Sequence, residues 1–150
     1  MEIKPLSQCR EFQPQVVEWL WKEWGNSKNY KRYEMIINHS LDPKNLPITF
    51  VAIEEGRAVA TIGLWRCDLM SRQDLFPWLA SLYVVPDYRS RGIGKQLQKF
   101  IIDYCRVKNY PKVYLYTDLI NYYEATGWER IDYGWTEDME KVNIYQYNLE

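Results

Sequence analysis

The segment between residues 78 and 117 constrains the fold more than any other part of the chain. It opens with WLASLYVV at 78–85, an almost continuous apolar run that is typical of a strand buried on both faces. Apolar residues then recur at helical spacing over 92–108, and KVYLYT at 112–117 has the composition of another strand. A strand, a helix and a strand in this order predict a crossover connection within one sheet.

The rest of the chain is predicted to build hairpins and further helices around this crossover. Strands are predicted at 2–6, 48–53, 58–67, 128–134 and 141–149. Helices are predicted at 11–24, 29–41 and 120–126, the last capped by Gly127. The element order β-α-α-β-β-β-α-β-α-β-β predicts an α/β (α+β) fold with a mixed, mostly antiparallel central sheet of about six or seven strands and helices on both faces. The length of 150 residues suits a single domain over 1–150.

Composition narrows the range of partners. The net charge is −1, which argues against a broad nucleic-acid interface. Cys9, Cys67 and Cys105 form no CxxC pair, and His39 is the only histidine, so neither a disulfide framework nor a metal site is predicted. The N-terminus MEIKPLSQ is polar, and no apolar run reaches the roughly 18 to 20 residues of a membrane span. These features predict a reduced, cytoplasmic protein without a metal, a nucleic-acid partner or a membrane anchor.

The seam between the predicted central strand and the long helix carries the strongest functional signal. Gly92 and Gly94 stand in the first helical turn, where backbone N–H groups have no helical partner and the helix dipole is positive. Arg89, Arg91 and Lys95 add positive charge beside them. Bare backbone and positive charge together favour a site for a phosphate or a pyrophosphate. A tight strand-to-helix turn with solvated charges is the alternative interpretation.

Two familiar phosphate-binding motifs do not fit this seam. The P-loop, G-x-x-x-x-G-K-[ST], fails because Arg89 occupies its first position and Gln96 its last. The dinucleotide fingerprint, G-x-G-x-x-G, fails because Leu97 stands where the third glycine is required. The seam therefore needs another explanation.

The sequence VVPDYRSRGIGKQL at 84–97 resembles the acyl-CoA binding segment of the GNAT superfamily of N-acetyltransferases. The family signature is Arg or Gln, two residues, Gly, one residue, and Gly or Ala, which RSRGIG at 89–94 satisfies after a strand ended by Pro86. Downstream, YYEATGW at 122–128 resembles the later family motif, which is an aromatic residue, Tyr, Glu, two residues, Gly and an aromatic residue. The resemblance extends over about residues 48 to 149, whereas the first 45 residues match only in element order.

The resemblance implies acetyl-CoA as the acyl donor and no metal. In this family the pantetheine arm of the coenzyme lies between the strand before the signature and the next strand, and it pairs with exposed strand backbone. The residues implied to supply that backbone are Leu82, Tyr83, Val84 and Val85. The residues implied to bind the pyrophosphate, mainly through their amides, are Arg89, Ser90, Arg91, Gly92, Ile93, Gly94 and Lys95. Asn121 is implied as a further contact of the arm.

The resemblance also implies direct transfer of the acetyl group in a ternary complex. A neutral amine attacks the thioester carbonyl, and a backbone N–H at Leu82 or Tyr83 stabilises the negative charge that develops on the oxygen. Tyr123 falls on the position of the family's general acid, which gives a proton to the leaving sulfur. A core tyrosine with a satisfied hydroxyl is the alternative interpretation of Tyr123.

The general base departs from the family pattern. Many members carry a Glu on the central strand, two residues before the position of Leu82, and this chain has Ala80 there. Asp68 is therefore a candidate base, with Glu23 and Asp118 as weaker candidates and a water chain as another route. A solvated surface charge is the alternative interpretation of each carboxylate.

The acceptor is the least specified part of the prediction. In the family it is shaped by the first two helices and by the loop before the central strand, which here contribute Trp21, Trp24, Trp65 and Trp78. Aromatic walls with carboxylates nearby favour a cationic amine, so we expect a primary amine on a small molecule, such as a polyamine or an aminoglycoside. A peptide N-terminus also qualifies.

Other functions are compatible with the same residues. The missing glutamate favours a non-catalytic acyl-CoA-binding module of the same fold. A longer acyl group in place of acetyl, and a nucleotide phosphate in place of coenzyme A, are two further alternatives. The resemblance also allows a homodimer.

Overall fold

The computed structural model describes residues 1–150 and contains seven strands, three α-helices and five single turns of 3-10 helix. The strands are β1 (Glu2–Pro5), β2 (Ile48–Glu54), β3 (Arg57–Trp65), β4 (Trp78–Val84), β5 (Lys112–Thr117), β6 (Glu129–Trp135) and β7 (Lys141–Asn148). The helices are α1 (Gln13–Trp24), α2 (Tyr30–Asn38) and α3 (Ile93–Val107). The 3-10 turns are Leu6–Gln8, Arg10–Phe12, Met70–Arg72, Pro86–Tyr88 and Glu124–Thr126.

All seven strands belong to one sheet in the order β1-β2-β3-β4-β5-β7-β6. The pairs β1–β2, β2–β3, β5–β7 and β6–β7 are antiparallel, and the pair β4–β5 is parallel. The helix α3 connects the two parallel strands, because a tight hairpin cannot join strands that run in the same direction. The predicted mixed, mostly antiparallel sheet is confirmed. None of the helices combines the length and the apolar character that crossing a membrane requires.

The chain divides into two compact units. Unit 1 comprises Met1–Leu64 and Ser81–Leu97, and unit 2 comprises Trp65–Ala80 and Gln98–Glu150. Two elements, β4 and α3, begin in one unit and end in the other. The assignment of residues 1–150 to a single domain stays a prediction.

The core of unit 1 holds its two helices. Val16, Val17 and Leu20 of α1 cluster with Ile37 of α2 and Val51 of β2, and all five are almost completely buried. The three α1 residues lie on one face of the helix because they follow the spacing of helical turns. Burying a side chain of this kind contributes about 1.5–3 kcal/mol, so the cluster fixes both helices against β2.

Unit 2 has its own core around Trp78, the first residue of β4. Trp78 is fully buried and clusters with Leu69, Val142 and Ile144. Its indole Nε1 donates to the Leu75 carbonyl at 2.7 Å, so the one polar atom of the side chain is satisfied. The prediction of Trp78 as a wall of the acceptor site is therefore wrong, because the ring has no exposed surface to offer a ligand.

The strand β4 changes character at Ser81. The first three residues of the strand are buried, whereas Ser81–Val84 are partly exposed, so the predicted burial of 78–85 on both faces along its whole length is wrong. Ser81 has a φ of 53°, in the left-handed region that costs a non-glycine residue roughly 1–2 kcal/mol. Because a left-handed residue breaks the alternation of a strand, it separates the buried start of β4 from the accessible end.

The helix predicted at 120–126 is reduced to the 3-10 turn Glu124–Thr126. Asn121 has a φ of 60°, and an α-helix cannot continue through a left-handed residue. Gly127 has a φ of 98°, and its N–H donates to the Glu124 carbonyl at 3.2 Å, so the predicted glycine cap is confirmed. The fourth helix of the predicted element order is thus a single turn.

Candidate active site

The seam between β4 and α3 is a tight reversal that uses left-handed residues. The 3-10 turn Pro86–Tyr88 follows β4, and the Tyr88 N–H donates to the Val85 carbonyl at 3.0 Å. Ser90 and Gly92 then have φ values of 62° and 78°. Glycine adopts this conformation without strain, so Gly92 allows α3 to begin at the next residue.

The first turn of α3 presents backbone donors without helical acceptors. The first hydrogen bond between residues four apart runs from the Gln96 N–H to the Gly92 carbonyl at 3.1 Å. The N–H groups of residues 93–95 come before it and therefore have no acceptor within the helix. A Cβ placed on Gly92 would meet nothing within 4 Å, and one placed on Gly94 would meet only the Leu82 Cδ2, at 4.0 Å. The glycines thus leave the space beside these donors open, as an anion site requires.

Two basic side chains of the seam lie against aromatic rings. The guanidinium of Arg91 is 4.7 Å from the ring centroid of Tyr88, and that of Arg89 is 5.5 Å from the ring centroid of Tyr83. The Arg89 Nε also donates to the Val84 carbonyl, at 2.8 Å. A cation–π contact of this kind contributes about 0.5–1 kcal/mol at an exposed site. These contacts with rings and a carbonyl hold the two guanidinium groups, and their positive charge, at the seam.

Only part of β4 can offer backbone groups to a ligand. The Val85 N–H donates to the Val59 carbonyl of β3 at 2.9 Å. Because successive residues of a strand direct their backbone groups to opposite sides, Tyr83 faces β3 together with Val85, while Leu82 and Val84 face away from it. The alternation supports Leu82 and Val84 as backbone contacts of a coenzyme. It corrects the prediction for Val85, whose N–H is bonded to β3, and the prediction for Tyr83 stays a prediction.

Tyr123 lies in unit 2, just before the turn Glu124–Thr126, in a cluster of aromatic rings. The ring centroids of Tyr122, Tyr145 and Trp128 lie 4.8, 5.9 and 6.1 Å from that of Tyr123. Burial raises the pKa of Tyr123 to about 12, and the neighbouring Tyr122 contributes to the increase. The hydroxyl is therefore protonated throughout the physiological range, which is the state that a general acid needs.

The turn after Tyr123 fixes its backbone. The Tyr123 carbonyl accepts hydrogen bonds from the Thr126 N–H at 3.1 Å and from the Trp128 N–H at 3.3 Å. One residue further on, the Glu124 carboxylate accepts a hydrogen bond from the Tyr145 hydroxyl of β7 at 3.2 Å. These hydrogen bonds hold the turn against β7, and the position of the Tyr123 side chain depends on the geometry of the turn.

Replacing Gly127 by alanine will lower the free energy of unfolding by about 2 kcal/mol. Alanine adopts the φ of 98° only with strain, and its Cβ would lie 3.0 Å from the Tyr147 Cε2. Gly56→Ala is the matched control, because Gly56 has a φ of 77° and nothing within 4 Å of a new Cβ, so we expect a loss of about 1 kcal/mol. Urea denaturation measures both variants. Equal losses would mean that the contact with Tyr147 does not constrain the turn.

The sequence over residues 14–128 matches the model of the acetyltransferase (GNAT) family. The chain belongs to this family. The two motifs that carry the resemblance are RSRGIG, which lies in the seam, and YYEATGW, which contains the turn described above. A separate comparison with curated proteins gives no sequence match.

Solved acetyltransferases share the fold of this GNAT protein at low sequence identity. An aminoglycoside 6'-N-acetyltransferase from Enterococcus faecium is 15% identical, with a TM-score of 0.76 over 100% of this chain and 98% of the other. An aminoglycoside 6'-N-acetyltransferase complexed with coenzyme A is 14% identical, with a TM-score of 0.73 over 100% and 98%. A ribosomal-protein alanine N-acetyltransferase from Escherichia coli is 17% identical, with a TM-score of 0.72 over 99% and 94%. These likenesses establish the fold and leave the acceptor open.

The other tryptophans predicted for the acceptor site of this GNAT protein differ in exposure. In unit 1, the Trp21 Nε1 donates to the Asn26 carbonyl at 2.6 Å, and its ring meets that of Tyr30 edge-on with centroids 5.3 Å apart. Trp24, the last residue of α1, is 49% exposed. In unit 2, Trp65 is partly buried at the end of β3, and its buried Nε1 has no hydrogen-bond partner. Each of these rings differs from Trp78 in retaining accessible surface.

The candidate bases also differ in exposure. Asp68 is partly buried in the connection between β3 and β4, whereas Glu23 on α1 and Asp118 after β5 are exposed. Ala80, at the position where many GNAT proteins carry a glutamate, is buried in β4. Asn121, the predicted contact of the pantetheine arm, is exposed in the segment before the turn. Asp68 is the most enclosed of the three carboxylates.

Sequence reasoning missed Trp19 of α1. Its ring lies against that of Tyr83 in β4, with centroids 5.6 Å apart and planes inclined by 30°. The helical spacing of α1 assigns Val16 and Leu20 to the core and leaves Trp19 beside them, without indicating what it contacts. An aromatic partner so distant along the chain leaves no local pattern, and only the fold reveals it.

Proposed function

We propose that this protein is an acyl-CoA-dependent N-acetyltransferase that moves the acetyl group of acetyl-CoA to the primary amine of a small molecule. The observation that carries the proposal is the row of N–H donors at residues 93–95, which have no helical acceptor and follow Gly92 with its φ of 78°. Membership of the GNAT family supports it. A structure with the same fold is complexed with coenzyme A, which supports the same ligand class here.

The diphosphate of the coenzyme binds to the amides of residues 89–95 in this proposal. Each hydrogen bond from a backbone N–H to a charged phosphate oxygen contributes about 1.5–3 kcal/mol, and the helix dipole adds to the attraction. The amides of the pantetheine arm pair with the backbone of Leu82 and with the Val84 N–H, since the Val84 carbonyl already accepts from the Arg89 Nε. Asn121 is a proposed further contact of the arm.

The acetyl transfer breaks one bond and forms one. The neutral amine nitrogen attacks the thioester carbonyl carbon, the carbon–sulfur bond breaks, and coenzyme A leaves as a thiol. The Leu82 N–H donates to the carbonyl oxygen as it becomes negative, and a donor in this role contributes about 3 kcal/mol. Tyr123 gives its proton to the sulfur, because its pKa of about 12 keeps the hydroxyl protonated until the thiolate develops.

We assign the proton lost by the amine to Asp68. Ala80 has no ionisable group, and Asp68 is the only partly buried carboxylate among the candidates, since Glu23 and Asp118 are exposed. An acceptor amine that is already partly neutral in solution needs only a weak base.

The accessible aromatic rings favour a cationic small amine as the acceptor. Trp21 and Trp24 stand on α1, Glu23 lies between them in the sequence, and Trp65 ends β3. Aromatic faces and a carboxylate attract an ammonium group before it loses its proton. A structure with the same fold is a ribosomal-protein alanine N-acetyltransferase, so a peptide N-terminus is the alternative acceptor.

A second function is favoured by one specific residue. Ala80 replaces the glutamate that many members of the family carry. A protein that keeps the coenzyme site but lacks the base is a non-catalytic acyl-CoA-binding module. This candidate shares the seam with the enzyme and differs from it only in turnover.

An acceptor screen separates these candidates. The protein is incubated with acetyl-CoA and, in turn, a polyamine, an aminoglycoside and a peptide with a free N-terminus, and the released thiol is followed with a thiol reagent. We expect turnover with a small amine above the rate of hydrolysis without acceptor. Calorimetric binding of coenzyme A without turnover on any amine would favour the binding module. No binding of coenzyme A would refute both.

Two additions to the same screen test the remaining alternatives. Propionyl-CoA and succinyl-CoA replace acetyl-CoA to measure the preference for acyl length, and we expect acetyl-CoA to give the highest kcat/KM. ATP and NAD compete with coenzyme A in the binding experiment. Tighter binding of either nucleotide than of coenzyme A would assign the seam to a different ligand.

A further inference from the structure

Three side chains of unit 1 form a continuous stack from α1 to the seam. The Trp19 ring lies 5.6 Å from the Tyr83 ring, and the Arg89 guanidinium lies 5.5 Å from the same Tyr83 ring. The Arg89 Nε donates to the Val84 carbonyl at 2.8 Å, so the guanidinium has a second fixed contact. Trp19 and Tyr83 are themselves packed against the core of unit 1. The stack therefore begins in the core and ends on the first residue of the RSRGIG signature.

The side chain of Arg89 is directed by these contacts to the end of β4. A guanidinium that contacts a ring and also donates to a carbonyl is held at two points. The compact ammonium group of a lysine is less well suited to make both contacts. The residues after it, Ser90 and Gly92, have φ values of 62° and 78°. Because the Ser90 conformation is strained for a non-glycine residue, the turn needs contacts on its flanks to hold it in place.

We propose that Trp19 and Tyr83 are positioning residues for coenzyme binding, and that they act through Arg89. They hold Arg89 on the Val84 carbonyl, and this contact keeps the turn 89–92 in the conformation that aligns its amides. When only a fraction of the molecules has an aligned turn, the apparent affinity for coenzyme A falls to that fraction of its intrinsic value. The inference rests on the proposed function, because it concerns the same coenzyme site.

The opposing explanation is that Arg89 binds the diphosphate directly through its charge. The two explanations predict different effects of Arg89→Lys on the affinity for coenzyme A. Lysine keeps the positive charge, but it lacks the planar guanidinium that contacts the Tyr83 ring while its Nε donates to the Val84 carbonyl. Direct charge contact predicts that Arg89→Lys binds coenzyme A normally, whereas positioning predicts a loss.

A double-mutant cycle tests the proposal by calorimetric titration with coenzyme A. We expect Arg89→Lys and Tyr83→Leu each to weaken binding by about tenfold, and the double variant to be no weaker than either alone, because both remove the same contact. Tyr83→Phe, which keeps the ring, should bind coenzyme A as tightly as the wild-type protein does. Trp19→Leu should weaken binding in the same direction. At saturating acetyl-CoA, the KM for the amine should stay unchanged in every variant.

Controls keep the outcomes distinct. Urea denaturation of each variant shows whether it is folded, and Arg89 is exposed, so Arg89→Lys decides the question even if Tyr83→Leu does not fold. Tyr30→Leu removes another aromatic pair of unit 1 and should leave the affinity for coenzyme A unchanged. Normal affinity in Arg89→Lys, or additive losses in the double variant, would overturn the positioning role. If the wild-type protein does not bind coenzyme A, the proposed function itself fails.

Discussion

Replacing Gly92 by valine will weaken the binding of coenzyme A by about 100-fold while the protein stays folded. The backbone at Gly92 has a φ of 78°, which a β-branched residue rarely adopts, so the turn must change conformation. The change moves the amides of residues 93–95 away from the diphosphate. Loss of one or two charge-assisted hydrogen bonds, at about 1.5–3 kcal/mol each, accounts for a 100-fold effect.

Gly56→Val is a matched control for this experiment. Gly56 has a φ of 77°, and, as at Gly92, nothing lies within 4 Å of an added Cβ. It sits in the turn between β2 and β3 and is not among the residues proposed to bind the coenzyme. We expect the two variants to lose similar free energy of unfolding in urea, because the backbone strain is the same. Only Gly92→Val should lose affinity in calorimetric titration.

Two results would count against the seam as the coenzyme site. If Gly92→Val bound coenzyme A as tightly as the wild-type protein, the amides after it would not be the ligands. If Gly92→Val and Gly56→Val weakened binding equally, the effect would come from general destabilisation. Gly94→Ala adds a positive test, because its Cβ has room and the family signature accepts alanine there, so binding should be retained.

The parts of the fold that sequence predicted best are those whose local pattern is unambiguous. The strand predicted at 112–117 is β5, with the same first and last residue, and the long helix predicted at 92–108 differs from α3 by one residue at each end. Alternation and helical spacing persist over these segments without an interruption. Gly92 and Gly94 were predictable as parts of the seam because glycine is the residue that a left-handed turn and a close approach both require.

Two local conformations could not be predicted because residue type does not specify them. Ser81 takes a φ of 53° inside β4, and Asn121 takes a φ of 60° inside a segment with a helical pattern. Serine rarely adopts such an angle, and tertiary contacts must stabilise it. The sequence consequently predicts a strand buried along its length and a helix at 120–126, whereas the structure has a strand with an accessible end and a single turn.

The aromatic residues show the limit of prediction at the candidate site. The chain has 7 Trp and 13 Tyr, and composition cannot distinguish a ring in the core from one at the surface. Trp78 is fully buried and Trp24 is 49% exposed, although both were predicted to line the same site. Their burial is decided by the packing of distant segments, which the sequence alone does not reveal.

Replacing Tyr123 by phenylalanine will lower kcat by about 10²- to 10⁴-fold and leave the affinity for coenzyme A unchanged. The substitution keeps the ring and its contacts with Tyr122, Tyr145 and Trp128, and it removes only the hydroxyl. Without that proton donor the sulfur must leave as a thiolate or take its proton from water. Steady-state kinetics with the acceptor found in the screen, together with calorimetry on coenzyme A, measures the two quantities.

Tyr122→Phe is the matched control, because Tyr122 is adjacent in sequence and 47% exposed, and it should retain kcat. The pH dependence gives an independent test. The raised pKa of Tyr123, about 12, means that the acid stays protonated as the pH rises through 10, where an ordinary tyrosine begins to ionise. A loss of wild-type turnover below about pH 10 must then come from another group. If Tyr123→Phe kept full kcat, the proton on the departing sulfur would have to come from a source other than Tyr123. If the substitution instead abolished the loss of turnover below about pH 10, Tyr123 would itself be the group that ionises there, and its pKa would not be raised.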